Sequence, residues 1–270
     1  MLLALALLAG TAVAQAAPAS VQLDELTWTE VRDAVKAGTT TVIIPVGGTE
    51  QSGPHMALGK HNVRVKMLAE RIAQALGHTL VAPVIAYVPE GQIAPPTQHM
   101  RYPGTVSISD EAFKGVVDGA ARSFRQHGFN DVVLIGDHGG YQSLLAAVAT
   151  RLNRDWAASP ARVHFVAAYY EAAQAPYNQA LRDHGLADAQ IGLHAGAADT
   201  SLMLATDANL VRREQLKIDR DAAAAKALGV SGDPRPASAA LGQLGVELIV
   251  SRTTAAIRQA IATPRHTPPR

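Results

Sequence analysis

The sequence contains no cysteine. Disulfides and thiolate ligands are therefore excluded, and any transition metal would have to be bound by histidine, aspartate and glutamate. Aromatic residues make up only 4% of the chain, whereas hydrophobic residues reach 48%. This composition favours parallel strands covered by helices over an aromatic-rich β-sandwich. The formal net charge is +1 and no block of like charge occurs, which argues against a nucleic-acid groove or a membrane-surface helix.

The first residues differ in composition from everything that follows. Leu2 to Ala9 is an unbroken apolar run, and Ala14-Gln15-Ala16 fits the small-x-small pattern of signal cleavage. The run is too short to span a bilayer comfortably. We expect residues 1–20 to be a signal peptide, and the mature protein to work in the periplasm or outside the cell without membrane attachment. No Lys or Arg precedes the run, so a mis-assigned start codon or a plain N-terminal tail is the alternative.

Strand and helix patterns alternate along the remaining sequence. Short apolar runs predict strands at Thr41–Val46, Leu80–Val84, Asp131–Ile135 and Arg162–Ala168. Helical spacing and end signals predict helices at Leu26–Lys36, Val63–Leu76, Asp110–His127, Ser143–Asn153, Ser201–Ala205 and Gly242–Ile261. This alternation predicts one three-layer α/β domain over residues 21–262, with a mostly parallel sheet flanked by helices, and a disordered tail over 263–270.

Three polar segments lie at strand ends or near a helix start. They are Glu50 to Asn62, Asp137 to Gly140, and His194 to Ser201, and a Pro- and Gly-rich loop over 85–105 joins them as a candidate functional loop. Because the carboxyl ends of parallel strands meet at one edge of a sheet, we expect these segments to form a site there. Their Glu, Asp and His side chains suit Zn²⁺ or Mn²⁺.

Each of these residues alone also has a purely structural explanation. Glu50 fits a solvated or capping position, His138 fits a bond to a backbone carbonyl, and Asp199 fits an N-cap. Gly139-Gly140 fits a tight turn as well as a close approach to substrate. The functional interpretation therefore depends on the three segments taken together.

The order of the motifs resembles the creatininase (creatinine amidohydrolase) family. The matching blocks are Glu50-Gln51-x-Gly53-Pro54-His55, His99-x-x-Tyr102-Pro103-Gly104-Thr105, His138-Gly139-Gly140, His194-x-Gly196-x-x-Asp199-Thr200-Ser201 and Gly229 to Pro234. The resemblance covers about residues 25–255. It implies a single α/β domain, often in a homo-hexamer, with a metal centre that activates water to open amide bonds.

The resemblance also implies roles for individual residues. Glu50 and His138 stand at metal-ligand positions, Asp199 replaces a glutamate, His61 replaces a bridging aspartate, and Ser52 replaces a histidine. We therefore expect one ion rather than two, Zn²⁺ or Mn²⁺, bound by Glu50, His61, His138 and Asp199. His194 would be the general acid or base and Asp137 would orient an imidazole. The residues expected to line the substrate pocket are Ser52, His55, His99, Gly139 and Gly140.

The expected activity is hydrolysis of an amide or cyclic amide in a small nitrogenous substrate or a short peptide. The resemblance implies tryptophan side chains around a creatinine substrate, and the sequence has none near Tyr169-Tyr170 or just before His194. Creatinine itself is therefore not the expected substrate. A non-catalytic small-molecule-binding protein on the same fold is the alternative. A nucleotide-binding protein is not expected, since Gly47-Gly48 leads into Glu50 rather than into a helix N-terminus.

Overall fold

The computed structural model describes residues 19–218 and 221–264. The predicted signal peptide, apart from Ala19 and Ser20, and most of the predicted tail lie outside these ranges. The strands are β1 (Thr41–Val46), β2 (Thr79–Val81), β3 (Asp131–Gly136) and β4 (Arg162–Phe165). The helices are α1 (Trp28–Lys36), α2 (Lys60–Leu76), α3 (Asp110–Gln126), α4 (Gln142–Asp155), α5 (Ala168–Ala172), α6 (Ala175–Asp183), α7 (Asp188–Ile191), α8 (Ala197–Thr206), α9 (Arg213–Leu216), α10 (Ala222–Ala227) and α11 (Ala239–Ala262).

The four strands form one parallel sheet in the order β2-β1-β3-β4. β1 pairs with β3 along its whole length, from Thr41 opposite Asp131 to Val46 opposite Gly136. The predicted α/β fold with a parallel sheet between helices is therefore confirmed. Because all four strands run the same way, their carboxyl ends lie along one edge of the sheet.

Alternate residues of β1 face two separate apolar layers. Val42 and Ile44 belong to a buried cluster with side chains of α3 and α4. Ile43 points to the opposite face and belongs to a cluster with α2, α8 and α11. A strand buried on both faces reads as a continuous apolar run, which is why this strand was predictable to the residue.

The segment from 181 to 200, for which the sequence predicts neither a strand nor a helix, is largely helical. It contains the end of α6, all of α7 and the start of α8. α6 has a proline in its first turn and buries Tyr177 and Leu181. Helices this short carry too few periodic apolar residues to be distinguished from a loop by pattern alone. The strand predicted over 162–168 ends earlier, at Phe165, because helix α5 begins at Ala168.

Glycines in α11 bring this helix close to α8. A side chain at Gly242 would overlap the backbone carbonyl of Ser201, and one at Gly245 would overlap Leu202 and Tyr177. The close contact fixes α8, whose first turn lies at the functional edge of the sheet. No helix in the two described ranges is both long enough and apolar enough to cross a membrane.

The double-sided burial of β1 predicts a large loss of stability from a cavity in that strand. Ile43→Ala is expected to lower the free energy of unfolding by about 2–5 kcal/mol, because Ile43 is fully buried and its surroundings collapse only partly. Ile93→Ala, at a position that is 63% exposed, is the matched control and should change it by less than about 0.5 kcal/mol. Urea unfolding of both variants checks this, and equal losses would contradict the assignment of the core.

Candidate metal centre

The ends of β1 and β3 are held together by one tyrosine. The hydroxyl of Tyr141 accepts hydrogen bonds from the backbone N–H groups of Asp137 at 3.1 Å and His138 at 3.0 Å. It donates to the backbone carbonyl of Gly47, at 2.6 Å. The loop that carries Glu50 and the loop that carries His138 are therefore fixed relative to each other.

Four side chains meet at this edge in an arrangement that suits a metal ion. Glu50, Glu90, His99 and His138 each offer a ligand atom, and these atoms lie within 4.8 Å of one another. Nε2 of His99 lies 3.1 Å, and Nε2 of His138 lies 3.5 Å, from Oε2 of Glu50. Nδ1 of His138 lies 3.7 Å from Oε2 of Glu90. Imidazole and carboxylate donors at this spacing are typical ligands of Zn²⁺ and Mn²⁺.

The two glutamates of this cluster have unsatisfied oxygens. Within the described chain, Oε2 of Glu50 and both carboxylate oxygens of Glu90 are buried without a hydrogen-bond donor. Burying such atoms is costly unless a proton or a cation compensates them. Burial and the neighbouring Glu50 carboxylate raise the pKa of Glu90 to about 9. A divalent cation would replace that proton and satisfy the orphaned oxygens, so these residues fit a metal ion.

The charge states of Glu50 and His138 also suit a cation. Burial opposes ionisation of Glu50, but the charge of Lys60 and the hydrogen bond with His61 outweigh it and hold the pKa of Glu50 well below its usual range. Burial lowers the pKa of His138 to about 3. Glu50 is therefore an anion and His138 a neutral imidazole at physiological pH, the forms in which both residues bind metals.

His61, predicted as a ligand, lies beside this cluster and not within it. Both of its ring nitrogens face carboxylates, with Nδ1 at 2.6 Å from Oδ2 of Asp137 and Nε2 at 2.8 Å from Oε1 of Glu50. Asp137 is held in turn by Arg64 at 2.8 Å and by the hydroxyl of Tyr169 at 2.7 Å. The imidazole that Asp137 orients is thus His61, although the sequence places Asp137 next to His138.

Asp199, also predicted as a ligand, is engaged by two cations of helix α2. Its Oδ2 lies 3.1 Å from Nζ of Lys60 and its Oδ1 lies 3.1 Å from Nη1 of Arg64. It also accepts a hydrogen bond from the backbone N–H of Ala195 at 3.0 Å. Asp199 lies inside the first turn of α8, whose N-cap is Gly196, so it is not the N-cap considered from sequence. With its oxygens paired in this way, Asp199 is placed apart from the four-residue cluster.

His194 lies beside Glu50 with its two ring nitrogens in different surroundings. Nε2 lies 3.0 Å from the backbone carbonyl of Gln51 and 3.1 Å from the side-chain amide nitrogen of the same residue, so it donates to the first or accepts from the second. Nδ1 lies 3.8 Å from Oε1 of Glu50. Burial and the charge of Lys60 lower the pKa of His194 to about 4. The side chain is therefore neutral at physiological pH, with Nδ1 on the Glu50 side.

Two cavities meet at His138. The first has a volume of about 280 Å³ and is mostly polar, with Arg64, His99 and His194 among its lining residues. The second has a volume of about 930 Å³ and is lined by the loop of Ile93 and by the start of α3. Gly139 lines the first cavity and Gly140 the second. The predicted pocket residues His99, Gly139 and Gly140 therefore lie on cavity walls.

Ser52 and His55, the other predicted pocket residues, lie behind these walls. Both are buried, and neither lines either of the two cavities. Nε2 of His55 lies 3.0 Å from the hydroxyl of Thr200, and its backbone carbonyl accepts a hydrogen bond from the N–H of Arg212 at 2.7 Å. These bonds turn His55 toward α8 and give it a structural position that connects the loop after β1 to that helix.

Three charged residues of the site have no role in the sequence-based prediction. Glu90 lies in the long loop, where the length of the loop was the only signal. Lys60 and Arg64 lie in the first turns of α2, and both are buried. Lysine and arginine at the start of an amphipathic helix normally face solvent. Lys60 and Arg64 are buried instead because carboxylates face them in the fold.

The parallel sheet, the carboxylate–imidazole cluster at its carboxyl edge and the adjacent cavity are features of an α/β protein with a candidate metal site. The sequence profile of creatininase, described as creatinine amidohydrolase, matches residues 24–257. The chain therefore belongs to the creatininase family, and it is a creatininase-like amidohydrolase.

Individual relatives agree with this assignment. The chain is similar to creatinine amidohydrolase of Pseudomonas putida, with 29% identity over 89% of this chain and 97% of the relative. It is similar to mycofactocin precursor peptide peptidase of Mycolicibacterium smegmatis, with 28% identity over 75% and 78% of the two chains. A solved structure named creatininase Mn superposes with a TM-score of 0.74 at 28% identity, covering 90% of this chain and 100% of that one. Metal-dependent amide hydrolysis is thus the activity that these homologues and the metal-ligand cluster support.

The buried ion pairs predict that Arg64 is essential for stability. Arg64→Leu is expected to destabilise the protein by about 3–5 kcal/mol, because the buried carboxylate of Asp137 loses its main counter-charge. The control is Arg71→Leu, an exposed position on the same helix, which should have little effect. Urea unfolding in the presence of a chelator measures both, and a stable Arg64→Leu variant would contradict the proposed electrostatic role.

Proposed function

We propose that the protein hydrolyses the amide bond of a short peptide or a peptide-like amide at a single divalent ion. The observation that carries the proposal is the cluster of Glu50, Glu90, His99 and His138, whose His138 lines both cavities. Buried carboxylate oxygens without a hydrogen-bond donor have no evident structural purpose without a cation. Zn²⁺ and Mn²⁺ are the ions that these ligands suit.

In this proposal the ligands are Glu50, Glu90, His99 and His138, in place of the set expected from sequence. When bound, a divalent ion lowers the pKa of a water molecule and polarises the amide carbonyl. Gln51 supports the ligand His99, since its side-chain amide lies 3.1 Å from Nδ1 of that ring. Such partners on the far nitrogen hold a metal-binding imidazole in its orientation.

His194 is the proposed general acid and base. Its Nδ1 faces the Glu50 side of the site, and its Nε2 is anchored to the backbone carbonyl of Gln51. In this role Nδ1 takes a proton from the attacking water and passes it to the leaving amine. Because Nε2 is held at the backbone carbonyl of Gln51, the ring does not turn. Nδ1 is therefore the atom that both accepts the proton and donates it.

The two cavities favour a substrate that extends to both sides of the bond that is cleaved. His138 lies between them and lines both. A small ring such as creatinine would occupy only one, whereas a short peptide places groups in each. The similarity to a peptidase that acts on a precursor peptide supports this substrate class, and the similarity to a creatinine amidohydrolase supports cleavage of an amide bond.

Metal content tests the proposed ligands directly. The wild-type protein, purified and supplied with Mn²⁺ or Zn²⁺, is expected to retain one equivalent after gel filtration. His138→Ala is expected to lose most of it, because one ligand fewer costs much of the affinity for the ion. His127→Ala, at an exposed histidine after α3, is the control and should keep the metal. Elemental analysis gives the stoichiometry, and a wild-type protein that never retains metal would end the proposal.

Hydrolysis assays test the role of His194. His194→Ala is expected to keep its metal and to lose about 10²–10⁴-fold in kcat, which is the usual contribution of a general acid–base group. A panel of dipeptides, longer peptides, lactams and creatinine, assayed by release of amine, identifies the substrate class. Unchanged turnover in His194→Ala would contradict this role. Tight binding without turnover of any compound would favour the non-catalytic binding protein.

A further inference from the structure

Lys60 is a fully buried cation that the proposed hydrolysis does not use. Its side chain is 1% exposed, although it is the first residue of α2 and follows a loop. Its Nζ lies 3.1 Å from Oδ2 of Asp199 and 3.4 Å from Oε1 of Glu50. A lysine is rarely buried to this extent unless its charge is paired. Here it is paired with two carboxylates that come from different elements of the fold.

The two carboxylate oxygens of Glu50 face different partners. Oε1 faces Lys60 and His61, at 3.4 and 2.8 Å. Oε2 faces the two imidazoles of the proposed metal cluster, His99 and His138, at 3.1 and 3.5 Å. In this arrangement Oε2 is the oxygen of Glu50 that would be available to a metal ion. The other oxygen and Asp199 form a second cation position, and the ammonium group of Lys60 lies in it.

We propose that the ammonium group of Lys60 is a built-in substitute for a second metal ion. It holds Oε1 of Glu50 and Oδ2 of Asp199, positions Oε2 of Glu50 toward the single ion, and excludes another ion from this side of the site. Lys60 is thus a positioning residue that acts through Glu50. The inference rests on the proposed metal site, and it adds the reason why this member of the family binds one ion.

Titration of the metal-free protein with Mn²⁺ or Zn²⁺ alone, followed by calorimetry, tests the proposal. The wild-type protein is expected to bind one equivalent. Lys60→Ala and the neutral, similarly long Lys60→Gln are expected to bind a second, because the carboxylates of Glu50 and Asp199 have lost their cation. Ethylammonium in excess should compete with that second equivalent in Lys60→Ala by filling the vacated space. A residue with only a packing role would give neither effect.

Lys66→Ala is the matched control. Lys66 lies on the same helix, is 43% exposed and pairs with Asp24 at 3.7 Å, so its removal should leave one equivalent. Two equivalents in the wild-type protein would overturn the proposal whatever the variants do. One equivalent in both Lys60 variants, with circular dichroism showing them folded, would overturn it too. If the wild-type protein binds one ion but cleaves no amide, the proposed function fails while the role of Lys60 stands.

Discussion

The site depends on the buried charges that helix α2 brings to the carboxyl edge of the sheet. Lys60 and Arg64 place positive charge among the carboxylates and imidazoles of the site, and they pair with Asp137, Asp199 and one oxygen of Glu50. These pairs connect α2 to the loops after β1 and β3 and to the first turn of α8, so they fix the relative positions of these segments. Breaking a buried pair leaves an uncompensated charge, which makes such contacts costly to lose.

The same pairs determine which side chains are left to bind a ligand. Asp199 and His61 are occupied by cations and carboxylates of the protein itself, whereas Glu50 keeps one oxygen and Glu90 keeps two without a hydrogen-bond donor in the described chain. The side chains that remain available for a cation are therefore those of Glu50, Glu90, His99 and His138. Of these, His138 lies at the boundary of the two cavities.

The fold was largely predictable from the sequence, and the site only partly. β1 is apolar on both faces, and the helix predicted over Asp110–His127 agrees with α3, which Ser109 caps. The expectation that Glu50, His138 and His194 come together at the sheet edge rests on the rule for strand ends, and the structure does bring them together. Whether each is a ligand or a catalytic group stays a prediction.

Glu90 and Lys60 were not predictable, because loop residues and the first residue of an amphipathic helix normally face solvent. Their burial depends on contacts between residues far apart in sequence, such as Lys60 with Asp199.

A crystal structure of the Mn²⁺- or Zn²⁺-loaded protein, with anomalous scattering measured at the metal edge, tests the account most directly. One peak per chain is predicted, within bonding distance of Oε2 of Glu50 and bounded by Glu90, His99 and His138. The ammonium group of Lys60 should remain between Glu50 and Asp199. A peak between Glu50, His61 and Asp199, a pair of peaks, or no peak at saturating metal would contradict it.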